Sequence, residues 1–119
     1  MAASMIGCGK TTIPTPGVPV QVVVPPAVAG PLGALGETTV HAILIEVLAG
    51  NLGKVYIGTA GLNRGTLANV LVMLPIPTAN LLPTFSISVT AAANALSLSD
   101  LWIDADNAND GVLLSVVVV

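Results

Sequence analysis

Leu96 to Val119, LSLSDLWIDADNANDGVLLSVVVV, sets the frame for the rest of the chain. It holds the single Trp and four of the six acidic residues, with apolar arms on either side of DADNANDG. Asn, Asp and Gly accept turn geometry and resist burial, whereas alternating or saturated apolar arms suit strands. The pattern predicts strand, acidic turn, strand, closed as a β-hairpin. Asn109-Asp110-Gly111 is sufficient turn chemistry for such a connection.

The same period of two runs upstream. Thr84 to Thr90 puts Phe85, Ile87 and Val89 on one face and hydroxyls on the other, an outer wall that costs less to desolvate than a charged one. Leu67 to Leu74 is apolar on both faces except at Asn69 and ends at Pro75-Ile76-Pro77. Gly53 to Thr59 points Val55 and Ile57 inward and Lys54 and Tyr56 outward, and Gly58 to Gly65 reads as a loop. Glu37 to Leu48 also fits a helical period, but its β-branched content and the Ala49-Gly50-Asn51 turn favour a strand. Strand centres at Val18, Val40, Val55, Val70, Ile87, Leu101 and Val116, with Leu96 to Leu98 as a possible eighth, predict an all-β chain. The expected architecture is a β-sandwich or jelly roll of seven or eight short antiparallel strands, with residues 37–119 as the sandwich domain and the strand at Val18 in the segment before it.

Residues 1–36 read differently. They carry six of the nine prolines, and proline lacks the N–H that a ladder needs. The segment is expected to be an extended arm, with an edge strand possible over 18–24.

Composition excludes several functions. The chain is 119 residues, 54% hydrophobic and 8% charged, with net charge −3, where about 25% charged is ordinary. Lys10, Lys54 and Arg64 are too few to track phosphates, so no nucleic-acid partner is expected. No apolar run reaches the length of a membrane helix: Glu46 interrupts one, and Pro75 and Pro77 end another, so no membrane partner is expected either. The surplus of apolar surface is better matched by burial against other protein subunits. Gly9-Lys10-Thr11-Thr12 has the ending of a phosphate-binding loop, but Ser4 replaces the first glycine and Pro14 and Pro16 forbid the following helix.

Chemistry-bearing residues are few. His41 stands mid-strand with no orienting partner evident, and Cys8 is the single cysteine, so neither a Cys–His nucleophile nor a zinc site is expected. Asp104, Asp106 and Asp110 are the candidate cation ligands: Asp104 and Asp106 share a face, and Asp110 could return across the turn. Ala108 and Asn109 stand where an EF-hand loop needs a ligand and a glycine. A plain turn is the leading reading, no cofactor is expected, and the chain is expected not to be an enzyme.

Gly50-Asn51-Leu52-Gly53-Lys54-Val55-Tyr56-Ile57-Gly58, then Asn94 to Ala105 with Leu101-Trp102-Ile103-Asp104-Ala105, then Asp110-Gly111-Val112, resembles a group of small tailed-bacteriophage virion proteins. Their pattern is a G-N-x-G-x-V-Y-I-G strand, a long loop and a closing L-W/Y-I-D-A strand followed by D-G. The resemblance covers about the last 70 residues. It implies a jelly-roll capsid decoration or cement protein on the outer surface of the virion. The implied partners are the major capsid protein and, in a homotrimer, further copies of the chain. Together with the apolar composition it places the expected interface at Pro14, Pro16, Val18, Val20, Pro25, Pro26, Leu32 and Leu35 of the arm, with Tyr56 and Trp102. The alternative is a tail or fibre component that uses Tyr56 and Trp102 to bind a host receptor or glycan.

Overall fold

The computed structural model describes residues 4–22, 40–88 and 101–118. Eight strands follow one another: β1 (Ser4–Thr12), β2 (Val20–Gln21), β3 (Val40–Val47), β4 (Val55–Asn63), β5 (Ala68–Leu74), β6 (Thr84–Ser88), β7 (Trp102–Ala105) and β8 (Gly111–Val118). They form two four-stranded sheets, ordered β1-β8-β3-β6 and β2-β7-β4-β5, with all pairs antiparallel. β4 pairs with β5, β3 with β6, β2 with β7 and β1 with β8. The chain is thus one long hairpin folded over on itself, which is the jelly-roll form of the β-sandwich. No helix of the described residues is long and apolar enough to cross a membrane.

The core follows from alternation. Ile43, Ile45 and Val47 of β3 and Val112, Leu114 and Val116 of β8 face Val55 and Ile57 of β4 and Ile103 and Ala105 of β7, all buried. Phe85 packs against this cluster from β6, while Thr84, Ser86 and Ser88 are exposed, as the period of two requires.

Three expectations need correction. Residues 4–22, expected in an arm, belong to the sandwich. β1 pairs with β8 from Ser4↔Val118 to Thr12↔Gly111, and Cys8, Ile13 and Val22 are core. Pro14, Pro16 and Pro19 misled because they fall in the turn between β1 and β2, where no ladder N–H is needed, while Pro25, Pro26 and Pro31 lie outside the described residues. The edge strand is only Val20–Gln21, and residues 23–36 lie outside the described residues, as does the eighth strand expected at Leu96 to Leu98.

Second, β7 and β8 are not a hairpin, because they lie in different sheets, and residues 106–110 cross between the layers. Turn chemistry marks a reversal but does not say whether the returning strand pairs with its predecessor or crosses to the facing sheet.

Third, Gly58 to Asn63, expected in a loop, continues β4, with register shifts on either side of Gly58. A Cβ on Gly58 would stand 2.0 Å from the Asn69 carbonyl oxygen and 2.9 Å from Leu62 Cδ1. The glycine marks a close approach within a bent strand.

Candidate functional site

Among the described residues, two polar groups and one apolar strip stand out beside the core. The first polar group joins three connections at one end of the sandwich. Asn51 is buried and its carboxamide meets the backbone of Gly111 twice: Nδ2 donates to the Gly111 carbonyl at 2.9 Å, and the Gly111 N–H donates to Oδ1 at 2.9 Å. Asp110, also buried, accepts from the N–H of Leu52 at 3.0 Å and of Gly53 at 2.9 Å. The Ile13 N–H donates to the Asp110 carbonyl, and Asn109, at φ 68°, donates its N–H to Ile13 at 2.7 Å. Asn tolerates that left-handed backbone better than most residues. The carboxylate of Asp110 is therefore consumed by backbone donors.

The second polar group lies on the outer face of the β2-β7-β4-β5 sheet. Ile103 and Ala105 point inward from β7, which turns Trp102 and Asp104 outward. Asp104 is 1% exposed; its Oδ1 accepts from Gly17 N–H at 3.0 Å and from its neighbour Ala105 N–H at 2.7 Å. Gly17 stands at φ 89°, a conformation that glycine adopts without strain. Arg64 lies across the group: its Nε is 3.9 Å from Asp104 Oδ2, and its Nη1 donates to Asp106 Oδ1 and to the Ala105 carbonyl, both at 3.1 Å. The Tyr56 hydroxyl donates to the same Asp106 oxygen at 3.0 Å. Desolvation, and then this hydrogen bond to Asp106, push the Tyr56 phenol above its ordinary range. An open crevice runs between Gly17, Tyr56, Arg64, Asp104 and Asp106.

The candidate cation ligands are thus not gathered. Asp104 and Asp106 share an arginine, and Asp110 serves the 51–53 connection. Among the described residues, no three His, Cys, Asp or Glu side chains converge as metal ligands, and no buried side-chain polar atom lacks a partner. Both groups act as braces between connections that are far apart in sequence. Arg64 is the participant that sequence reasoning missed, and a signal existed. It is the only charge between Lys54 and Asp100, so a buried acid elsewhere was its natural partner.

The expected interface residues scatter. Pro14 and Val18 are exposed in the β1–β2 turn, Pro16 is half-buried there, and Val20 packs against the core. Tyr56 is buried and Trp102 half-buried, while Pro25, Pro26, Leu32 and Leu35 lie outside the described residues. His41 falls in β3, at a register shift against β8.

The apolar strip was not foreseen. β5 is an edge strand of its sheet, and Leu67 just before it, Leu71 and Met73 along it, and Ile76 and Leu81 in the loop that follows are exposed. The sequence carries no charged residue from Gly65 to Ser99. Edge strands that stay in water are usually blunted by charge or proline. This one has neither until Pro75.

No protein-family model matches the chain, and no curated protein matches it.

Proposed function

We propose that this protein is a non-enzymatic virion structural protein, a decoration or cement protein that binds the outer surface of a phage head and bridges subunits of the major capsid protein. The observation that carries the reading is the charge-free strip on the edge strand β5, where Leu71 and Met73 are 54% and 45% exposed. A row of exposed large apolar side chains beside open backbone donors and acceptors suits a protein partner that covers them together. The resemblance of residues 50–58, 101–105 and 110–112 to small tailed-phage virion proteins supports the same class. The alternative, a receptor-binding tail component, called for Tyr56 and Trp102 as an open aromatic platform. Tyr56 is buried and bonded to Asp106, which leaves that alternative with less support.

The test is decoration of undecorated heads of the phage that encodes the chain. The double variant Leu71→Asp, Met73→Lys is expected to lose occupancy at least about tenfold, equivalent to about 1.4 kcal/mol. Wild-type occupancy is expected to persist in salt well above physiological strength, since few ions take part. Full occupancy by the double variant, or release of the wild type by salt, overturns the reading.

A further inference from the structure

The outer face of the β1-β8-β3-β6 sheet complements itself. Register sets its side chains in rows that run across the strands. One row reads Lys10, Leu113, Glu46 from β1 through β8 to β3, and the next reads Gly7, Ser115, Leu44. Leu113 and Leu44 are each 46% exposed. Lys10 and Glu46 stand one strand to either side of Leu113, about 10 Å apart at ordinary strand spacing. Neither makes an ion pair among the described residues. Gly7 stands at the position in its row that mirrors Leu44, and nothing lies within 4 Å of where its Cβ would be.

From this arrangement we infer that the face is a homodimer interface, with two copies packed sheet to sheet about a two-fold axis running along β8. Rotation about that axis exchanges the strands on either side of β8. Lys10 therefore meets the partner's Glu46, and Glu46 meets the partner's Lys10. Leu113 and Ser115 each face their own counterpart on the axis. Leu44, one strand off the axis, enters the hollow over the partner's Gly7. The angle of about 30° between aligned sheets moves contacts one strand from the axis by only about 2–3 Å, within reach of a lysine. A patch whose complement lies on itself closes with two copies, not three. This arrangement stands in place of the threefold association that the resemblance implies. It leaves the β5 strip, on the other sheet, open to a capsid. The face measures roughly 20 Å by 20 Å from strand spacing and rise. That is about 400 Å² per copy, roughly 800 Å² in all and below the range of stable specific interfaces, so the dimer is expected to be weak and to depend on concentration.

The test uses the full chain in sedimentation equilibrium over a concentration series. Wild type is expected to approach twice the 11.8 kDa chain mass. Lys10→Glu alone sets two carboxylates against each other at both pairs and is expected to be monomeric; Glu46→Lys alone does the same with two ammonium groups. Mixed in equal amounts, the two variants pair opposite charges at both positions, so a heterodimer is expected from two monomers. Circular dichroism of each variant alone checks that the sandwich is folded. Gly7→Leu, whose Cβ would have nothing within 4 Å of it, fills the hollow and is expected to weaken pairing about tenfold. A wild-type monomer or trimer across the series overturns the proposal. So does a mixture of the two folded charge variants that stays monomeric.

Discussion

The connection-rich end around Asn51 and Asp110 and the edge strand β5 are built on opposite terms. At the first, every buried polar side-chain atom has a partner inside the molecule, and the strongest acceptors meet backbone N–H groups from distant loops. Along the second, large apolar side chains stand exposed on a strand that has one ladder partner among the described residues. The residues that looked like chemistry therefore brace the fold, and the residues that looked like ordinary strand filler are those that stand exposed. Within the first region and the Arg64 group, the charged side chains meet hydrogen-bond partners inside the molecule, and charge-assisted bonds are the strong ones.

Substitutions should separate the two regions sharply. The largest effect is expected from Gly111→Ala, whose Cβ would stand 2.0 Å from the Thr11 carbonyl oxygen and 2.8 Å from Thr12 Cα. Backbone cannot yield there without breaking the β1–β8 ladder, so a loss of more than about 3 kcal/mol is expected in urea unfolding. Asp110→Ala should follow at about 3 kcal/mol, because it leaves the Leu52 and Gly53 N–H groups without their carboxylate. If chemical denaturation shows either variant to be as stable as wild type, the end is not a brace.

Trp102→Ala comes next. Half-buried on the outer face, the ring should contribute about 1–2 kcal/mol, below the cost of emptying a core site.

Tyr56→Phe removes the bond to Asp106 and should cost about 1 kcal/mol at neutral pH. Its pH dependence is specific. The folded phenol is raised above the unfolded value of about 10, so its contribution is fully present below that pH and is lost as pH rises through the folded pKa. Wild type should lose stability in that alkaline window, and Tyr56→Phe should lack this component of the loss. With one tyrosine in the chain, phenolate absorbance reads the ionisation directly. The smallest stability effect belongs to the strip: Leu71→Asp with Met73→Lys should change unfolding free energy by less than about 0.5 kcal/mol, while affecting attachment most.

Much of the fold was legible because alternation is a local signal. Thr84 to Ser88 and Val55 to Ile57 show their faces in sequence as they do in the structure. What stayed hidden was non-local. Ser4–Thr12 is glycine-rich, carries Lys10 and is followed by Pro14 and Pro16; its strand character comes from pairing with the valine-rich β8, whose first residue lies about a hundred positions away. The acidic turn was located, but its role depended on Asn51 and Arg64, and nothing in spacing alone joins Arg64 to Asp104. The apolar strip was missed because exposure, and not hydrophobicity, distinguishes Leu71 from Val72.

The nested pairing has a consequence for how the molecule comes into being. The inner pair, β4 with β5, can zip as soon as both are made, but each outer pair encloses a longer loop, and β1 waits for β8. Ribosomal synthesis therefore leaves β1, with Cys8, and the core residue Ile13 just after it, without a ladder until the last strand of the sheet emerges. Contacts of such long sequence separation fold slowly and hold aggregation-prone strands open meanwhile. A mutation in β8 should thus reduce soluble yield through β1, the strand furthest from it along the chain.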